Sequence, residues 1–265
     1  MGRTLIGLIL VLALFASLAI LGWHFAKDRI RPKQEYRLSA DRIIVPTPPE
    51  WVPDQFVGEV LQNSELTRTG YLLDNTLPKK LAEAFAAYPW VERVDHVVLR
   101  YPSGADVQLS YRVPVALVDI PQRGMSPVDR NGVLLPPEYL SDTFSDRWSK
   151  HLVIQGVQSI PLGSAGTPWG DPMVHAAAQL AAALTDVAEP LKLTQIIPKT
   201  ETVPVGTRIV CQLRTAGGTE IHWGTVVSDD LKIEAQKKKL WDLHDQFHSL
   251  DNIPAAFRPV DLSRE

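Results

Sequence analysis

The sequence predicts an α+β chain in three parts: a single N-terminal transmembrane helix, a small domain of order strand–helix–helix–strand–strand, and a mixed, β-rich domain with two helices. Three observations carry this prediction. Residues 4–26 hold no charged side chain and are dominated by Leu, Ile, Val, Ala and Phe. From Val107 to Val113 apolar and polar residues alternate: Val107, Leu109, Tyr111 and Val113 on one face, Gln108, Ser110 and Arg112 on the other. That period belongs to a half-buried strand. Elsewhere apolar residues recur at helical spacing, as at Leu77, Leu81 and Phe85, and at Leu240, Leu243, Phe247 and Leu250.

As a helix, residues 4–26 would cover roughly 30 Å, the hydrocarbon thickness of a bilayer, and Trp23 suits the interfacial belt. A cleaved signal peptide competes, with Ser17 and Ala19 as small residues before a cut. The apolar run continues through Ile20, Leu21 and Phe25, beyond a signal core of about 7–15 residues, which favours an uncleaved anchor. Only Arg3 precedes the run, whereas Lys27, Arg29, Arg31, Lys33 and Arg37 follow it. Charge bias alone leaves orientation open, because long domains translocate largely regardless of charge.

The next segment, residues 32–53, is a proline-punctuated connector around one strand at 36–45. Pro46-Thr47-Pro48-Pro49 excludes a helix there, since each proline restricts itself and its predecessor. Asp54 is expected to cap a helix carrying Phe56, Val57, Val60 and Leu61. A second helix spans 76–87, with Pro78 tolerated in its first turn, and stops at Tyr88-Pro89. Two strands flanking a Pro102-Ser103-Gly104 turn complete the first domain.

A strand at 115–120 then runs into the turn Pro121-Gln122-Arg123-Gly124. Residues 128–134 read as a hairpin about Asn131-Gly132, a type I′ pair, with Asp129 as a turn-stabilising carboxylate. Leu152-Val153-Ile154 is a short buried strand, and 156–170 is a loop. Asp171-Pro172 opens a helix that turns Val174, Ala177, Leu180, Ala181, Leu184 and Val187 inward. Strands follow at 196–197, 209–213 and 220–224. The last helix covers 229–250, with Lys237-Lys238-Lys239 on its solvated side, and a strand at 258–262 ends the chain.

Composition narrows the function. A net charge of −3 argues against nucleic acid as a main partner. A hydrophobic fraction of 45% and a charged fraction of 22% are ordinary for a globular chain. Cys211 is the single cysteine, so no internal disulfide and no Cys-based metal site form; its alternation with Ile209 and Leu213 marks a buried strand residue.

Motifs for chemistry are lacking. His244 and His248 stand four apart on one helix, but Asp245 and Gln246 follow His244 outside the zinc-protease pattern, and no third ligand has metal-like spacing. Gly163-Ser164-Ala165-Gly166 lacks the spacing of a nucleophile elbow. No Gly-Lys-Ser/Thr follows a glycine run, and Asp229-Asp230 lies at a helix start, where capping explains it. The expectation is no catalytic residue, no metal, no cofactor and no small-molecule substrate.

With this order established, the chain resembles the FtsQ/DivIB family of bacterial cell-division proteins. Pro89-Trp90-Val91, Val94 and Leu99-Arg100-Tyr101-Pro102 look like the family's helix exit and second POTRA strand. The run 107–116, with Arg112 and Pro114-Val115-Ala116, looks like its third strand and Glu-Arg-x-Pro-Val-Ala motif, with Tyr111 replacing the Glu. Val128-Asp129 and Gly132-Val133-Leu134 match its Val-Asp-x-x-Gly hairpin. Glu220-Ile221-His222-Trp223-Gly224, Leu231-Lys232 and Val260-Asp261-Leu262 resemble its last hairpin, final helix and closing strand, with Ser263 where Arg is usual.

The resemblance implies a cytoplasmic tail at 1–3, a transmembrane helix at 4–26, a juxtamembrane linker at 27–35, a POTRA-type βααββ domain at 36–111 and an FtsQ-type β domain at 112–265. It further implies a single-pass protein of the bacterial inner membrane at the division septum, amino terminus inside and bulk periplasmic. Its role would be a divisome scaffold, not an enzyme, that binds FtsB/FtsL-like partners and so regulates septal peptidoglycan synthesis. In well-known members a segment after the closing strand supplies the edge on which FtsB adds its strand; with the chain ending at Glu265, the expectation is that this docking mode is either lost or moved to an earlier edge. Candidate partner-binding residues are Trp223, Val260, Asp261 and Leu262, with core packing the competing role for Trp223. The alternatives are a POTRA-containing envelope adaptor outside division and a membrane-tethered cell-wall enzyme.

Overall fold

The structure, a computed structural model, describes residues 14, 16–23, 36–137, 148, 150–204, 206–226 and 229–263. It corrects the expected membrane anchor. Among the described residues no helix is long and apolar enough to cross a membrane. Of the expected span at 4–26, residues 14 and 16–23 are described, and they are helical. The remainder of the expected span, the tail at 1–3 and the linker at 27–35 lie outside the described residues. The single-pass inner-membrane placement is overturned by the same finding.

The chain divides into two compact units, one of Met1–Ala86 and Arg93–Ser110, the other of Ala87–Glu92 and Tyr111–Glu265. The first contains β1 (Ile43–Ile44), α1 (Phe56–Asn63), the single turn α2 (Leu66–Thr69), α3 (Leu77–Ala86) and all but the end residues Val91, Glu92 and Tyr111 of the hairpin strands β2 (Val91–Arg100) and β3 (Gly104–Tyr111). Its sheet has the order β1-β3-β2, with β1 parallel to β3 and Ile43 opposite Ala105. Helical spacing buries Phe56, Val60 and Leu61 of α1 and Leu77, Leu81 and Phe85 of α3. The Phe56 and Phe85 rings meet edge to face, 6.2 Å apart, the arrangement that the aromatic quadrupole favours. Period-2 alternation buries Ala105, Val107 and Leu109 on β3.

Three local expectations change. The strand at 36–45 shrinks to β1, because a 3-10 turn at Ala40–Arg42 interrupts it. Gln55, not Asp54, occupies the cap position of α1 and makes no side-chain cap bond. Val113 leaves the alternation and is exposed, since β3 ends at Tyr111.

The second unit contains β4 (Pro114–Ile120), β5 (Gly124–Asp129), β6 (Leu152–Ile154), α4 (Pro172–Ala183), β7 (Leu193–Val203), β8 (Gly206–Thr215), β9 (Glu220–Thr225), α5 (Asp230–Phe247) and β10 (Val260–Asp261). These strands form one mixed sheet of order β10-β9-β8-β7-β6-β4-β5. The pairs β4–β6, β6–β7 and β9–β10 are parallel, and the others are antiparallel. Ala116, Val118, Ile154, Ile196, Cys211, Leu213, Ile221 and Trp223 join Val174, Ala177, Ala178 and Ala181 of α4 and Leu240 of α5 in one core. Alanines at the contact allow α4 to lie close to the sheet.

Capping fixes both helix starts. Asp171 accepts the Met173 amide at 2.8 Å with Pro172 at the first helical position, and Asp229 accepts the Leu231 amide at 3.1 Å. The expected type I′ turn is replaced: Gly132 has φ +67°, whereas Asn131 is not in the positive-φ region that a type I′ turn requires. Gly132 N–H instead donates to Asp129 C=O, and Asp129 Oδ1 accepts the Asn131 and Val133 amides. The Lys237 side chain is also not solvated. It is 8% exposed and donates to Asp186 at 2.8 Å and Glu234 at 3.0 Å.

Candidate partner-docking edge

The sheet of the second unit ends at β10, which lies parallel to β9 with Val260 opposite Ile221 and Asp261 opposite His222. Leu262 N–H donates to His222 C=O at 2.9 Å, extending the ladder by one bond. Two apolar side chains hold this short strand down, Val260 and Leu262, at 8% and 4% exposure. Trp223 beside them is 1% exposed. Of the four candidate residues, only Asp261 is therefore on the surface. Its Oδ1 accepts the Ser263 amide at 2.9 Å and the Ser263 hydroxyl at 2.6 Å. Trp223, Val260 and Leu262 act as the packing that positions an edge, and Trp223 takes the core role.

The segment leading into β10 is pinned to the β8–β9 turn. Asp251 accepts the Gly217 amide at 3.1 Å and the Thr215 hydroxyl. Burial pushes the Asp251 carboxyl up, but these donors outweigh it and hold the group below its usual range. Arg258 Nε donates to Ile253 C=O at 2.8 Å. Gly224, at φ +94°, completes the fit: a Cβ there would stand 2.8 Å from Ser263 Cβ.

Alongside the ends of β9 and β10 runs a groove of about 440 Å³, whose rim carries Arg208, Lys232 and Lys239. Gln236 forms its wall, donating to Trp223 C=O at 2.8 Å and Leu262 C=O at 3.5 Å. Arg208 pairs with Glu201 across the β7–β8 hairpin at 2.9 Å, but among the described residues no carboxylate lines the groove itself. The described charged side chains that line the groove are thus all basic, even though the whole chain is weakly acidic. Sequence reading missed these residues. The signal was present for three of them: Lys232, Gln236 and Lys239 follow the i, i+4, i+7 spacing of one helix face. Arg208 comes from a different element and has no such signal.

The other chemistry-bearing residues have local roles. His248 ends α5 in the left-handed region at φ 61° and is exposed. His244 contacts Asp245 at 3.5 Å and meets the Trp241 ring edge to face. Among the described residues no group of three or more His, Cys, Asp or Glu side chains is placed to hold a metal ion. Burial pushes the Cys211 thiol up to about 12, far from a reactive thiolate. The chain matches no protein-family model and no curated protein.

Proposed function

We propose that this chain is a non-catalytic docking scaffold of the bacterial cell-division machinery, of the FtsQ/DivIB type. A coiled-coil partner of the FtsB/FtsL kind adds a strand at the β10 edge, and the scaffold thereby regulates septal peptidoglycan synthesis. The observation that carries this reading is the terminal strand itself. β10 is short, fixed from beneath by Val260, Leu262 and Trp223, and bordered by a cationic groove. Strand addition takes affinity from main-chain hydrogen bonds and specificity from neighbouring side-chain pockets. Arg208, Lys232 and Lys239 select a partner segment with acidic residues flanking its strand and speed its encounter.

The motif order that carries the resemblance supports the same reading: Pro89-Trp90-Val91, the Val128–Asp129 hairpin and Val260-Asp261-Leu262 follow one another as in that family. Affinity purification of the tagged full chain, followed by identification of what it retains, tests the proposal. Recovery of an FtsB-like coiled-coil protein, diminished by Lys232→Glu with Lys239→Glu, is the expected result. Intact bait that retains no such protein would redirect the reading to an envelope adaptor outside division.

A further inference from the structure

A second concavity lies within the first unit, remote in sequence from β10. Its volume is about 540 Å³, and Arg37, Ser39, Asp41, Arg42 and Ser103 contribute its polar lining. Neutral acceptors hold both guanidiniums. Arg42 Nη1 donates to Ser103 Oγ at 2.9 Å. Arg37 donates to the Tyr71 hydroxyl at 3.2 Å and lies 5.6 Å from the Tyr71 ring centroid. Neither arginine forms an ion pair with a carboxylate among the described residues.

The backbone that carries them is tightly joined. Ser39 N–H donates to Ser103 C=O at 3.0 Å, and Arg42 N–H donates to Ser39 C=O at 3.1 Å. Gly104 admits this turn, because a Cβ there would stand 2.6 Å from the Arg42 carbonyl oxygen. Ser103 is 8% exposed; its Oγ accepts from Arg42, which leaves its own proton to be donated. Asp41, the one acid in the lining, accepts from Ser39 Oγ at 2.6 Å.

We propose that this concavity binds a phosphate group through the Arg37 and Arg42 guanidiniums and the Ser103 hydroxyl. One guanidinium already satisfies one carboxylate in a bidentate fork. Two guanidiniums against the single Asp41 carboxylate, with a hydroxyl donor beside them, match a phosphate monoester, which carries about −1.5 to −2 charges and three acceptor oxygens. Preorganisation by Ser103 and Tyr71 lowers the ordering cost of binding. Asp41 opposes it and keeps the affinity modest. The same group is presented by a soluble phosphoester and by a phospholipid headgroup.

The test titrates inorganic phosphate into the full chain at constant ionic strength and follows the Ser39, Arg42 and Ser103 amide shifts. The expected shifts saturate, and Arg37→Gln and Arg42→Gln each raise the apparent dissociation constant about tenfold. Asp41→Asn lowers it, a gain that a purely structural role for Arg42 does not produce and that survives if the arginine variants fold poorly. Vesicles of phosphatidic acid in phosphatidylcholine, compared with phosphatidylcholine alone, separate the sources. Arginine-dependent sedimentation identifies a headgroup, and its absence beside saturable phosphate binding identifies a soluble phosphoester. Shifts that do not saturate, or that are unchanged in both arginine variants and in Asp41→Asn, mean an adventitious ion only and overturn the proposal.

Discussion

One oxygen of the Asp129 carboxylate accepts the Asn131 and Val133 amides at 2.8 and 2.9 Å, while the other takes the Arg112 guanidinium at 2.6 Å. The side chains of the ion pair are 13% and 2% exposed, so removing one partner strands the other charge away from water. Asp129→Ala should destabilise the second unit by about 3–5 kcal/mol, and Asp129→Asn by less, because an amide oxygen still serves the turn. Chemical denaturation checks both; a loss below about 1 kcal/mol for Asp129→Ala would remove the pair from the account. The turn role was legible in the sequence. The Arg112 partner was not, because it depends on the register that sets Pro114 opposite Asp129.

Asp74 gives a pH signature at the same scale. Hydrogen bonds from Lys80 at 2.9 Å, and then from Thr76, hold its carboxyl down to about 2, from 3.8. A depressed folded value means that the stabilisation is present above about pH 4 and fades as pH falls through about 2. Asp74→Asn should flatten the acid limb of stability in that window, read as the thermal midpoint against pH. An unchanged limb would assign the acid sensitivity to other carboxylates.

Among the elements, those with a local mechanism were readable. Asp171-Pro172 starts α4, Asp229 caps α5, and the alternation at Val107 and Leu109 makes β3. Elements whose length depends on partners were not. β7 and β8 pair from Leu193 opposite Thr215 to Val203 opposite Gly206, far beyond their apolar cores, because each strand completes the other's ladder. Lys237 appeared solvated in a lysine run, yet Asp186, from the segment after α4, draws it inward. Burial disfavours its charge, and the Asp186 and Glu234 carboxylates more than offset this, so its pKa is raised. Gly224 provides the element-scale test. Gly224→Ala combines a strained φ with a clash against Ser263, and it should cost about 1–3 kcal/mol at the β9–β10 junction. Amide exchange at Leu262 should accelerate, with α4 unaffected; unchanged exchange would show that Gly224 does not control the seating of β10.

Across the whole molecule, the sequence carried the order of elements and their approximate class. It did not carry the strand order. That β6 inserts between β4 and β7, and that β10 closes parallel on β9, follows from long-range pairing that no local pattern encodes. The apolar run at 4–26 predicts an anchor by composition alone, whereas among the described residues no helix is long and apolar enough to cross a membrane. Of the candidate docking site, the strand residues Val260-Asp261-Leu262 were legible, whereas the groove required Arg208 to meet Lys232 and Lys239 in space.

The central claim is strand addition at β10. The most direct measurement is amide hydrogen exchange over residues 260–263, with and without a purified FtsB-type segment. The account predicts slowed exchange at these amides, reversed when Arg208, Lys232 and Lys239 are changed to Glu. Binding that leaves exchange at 260–263 unchanged, or protection that survives the charge reversal, would contradict it.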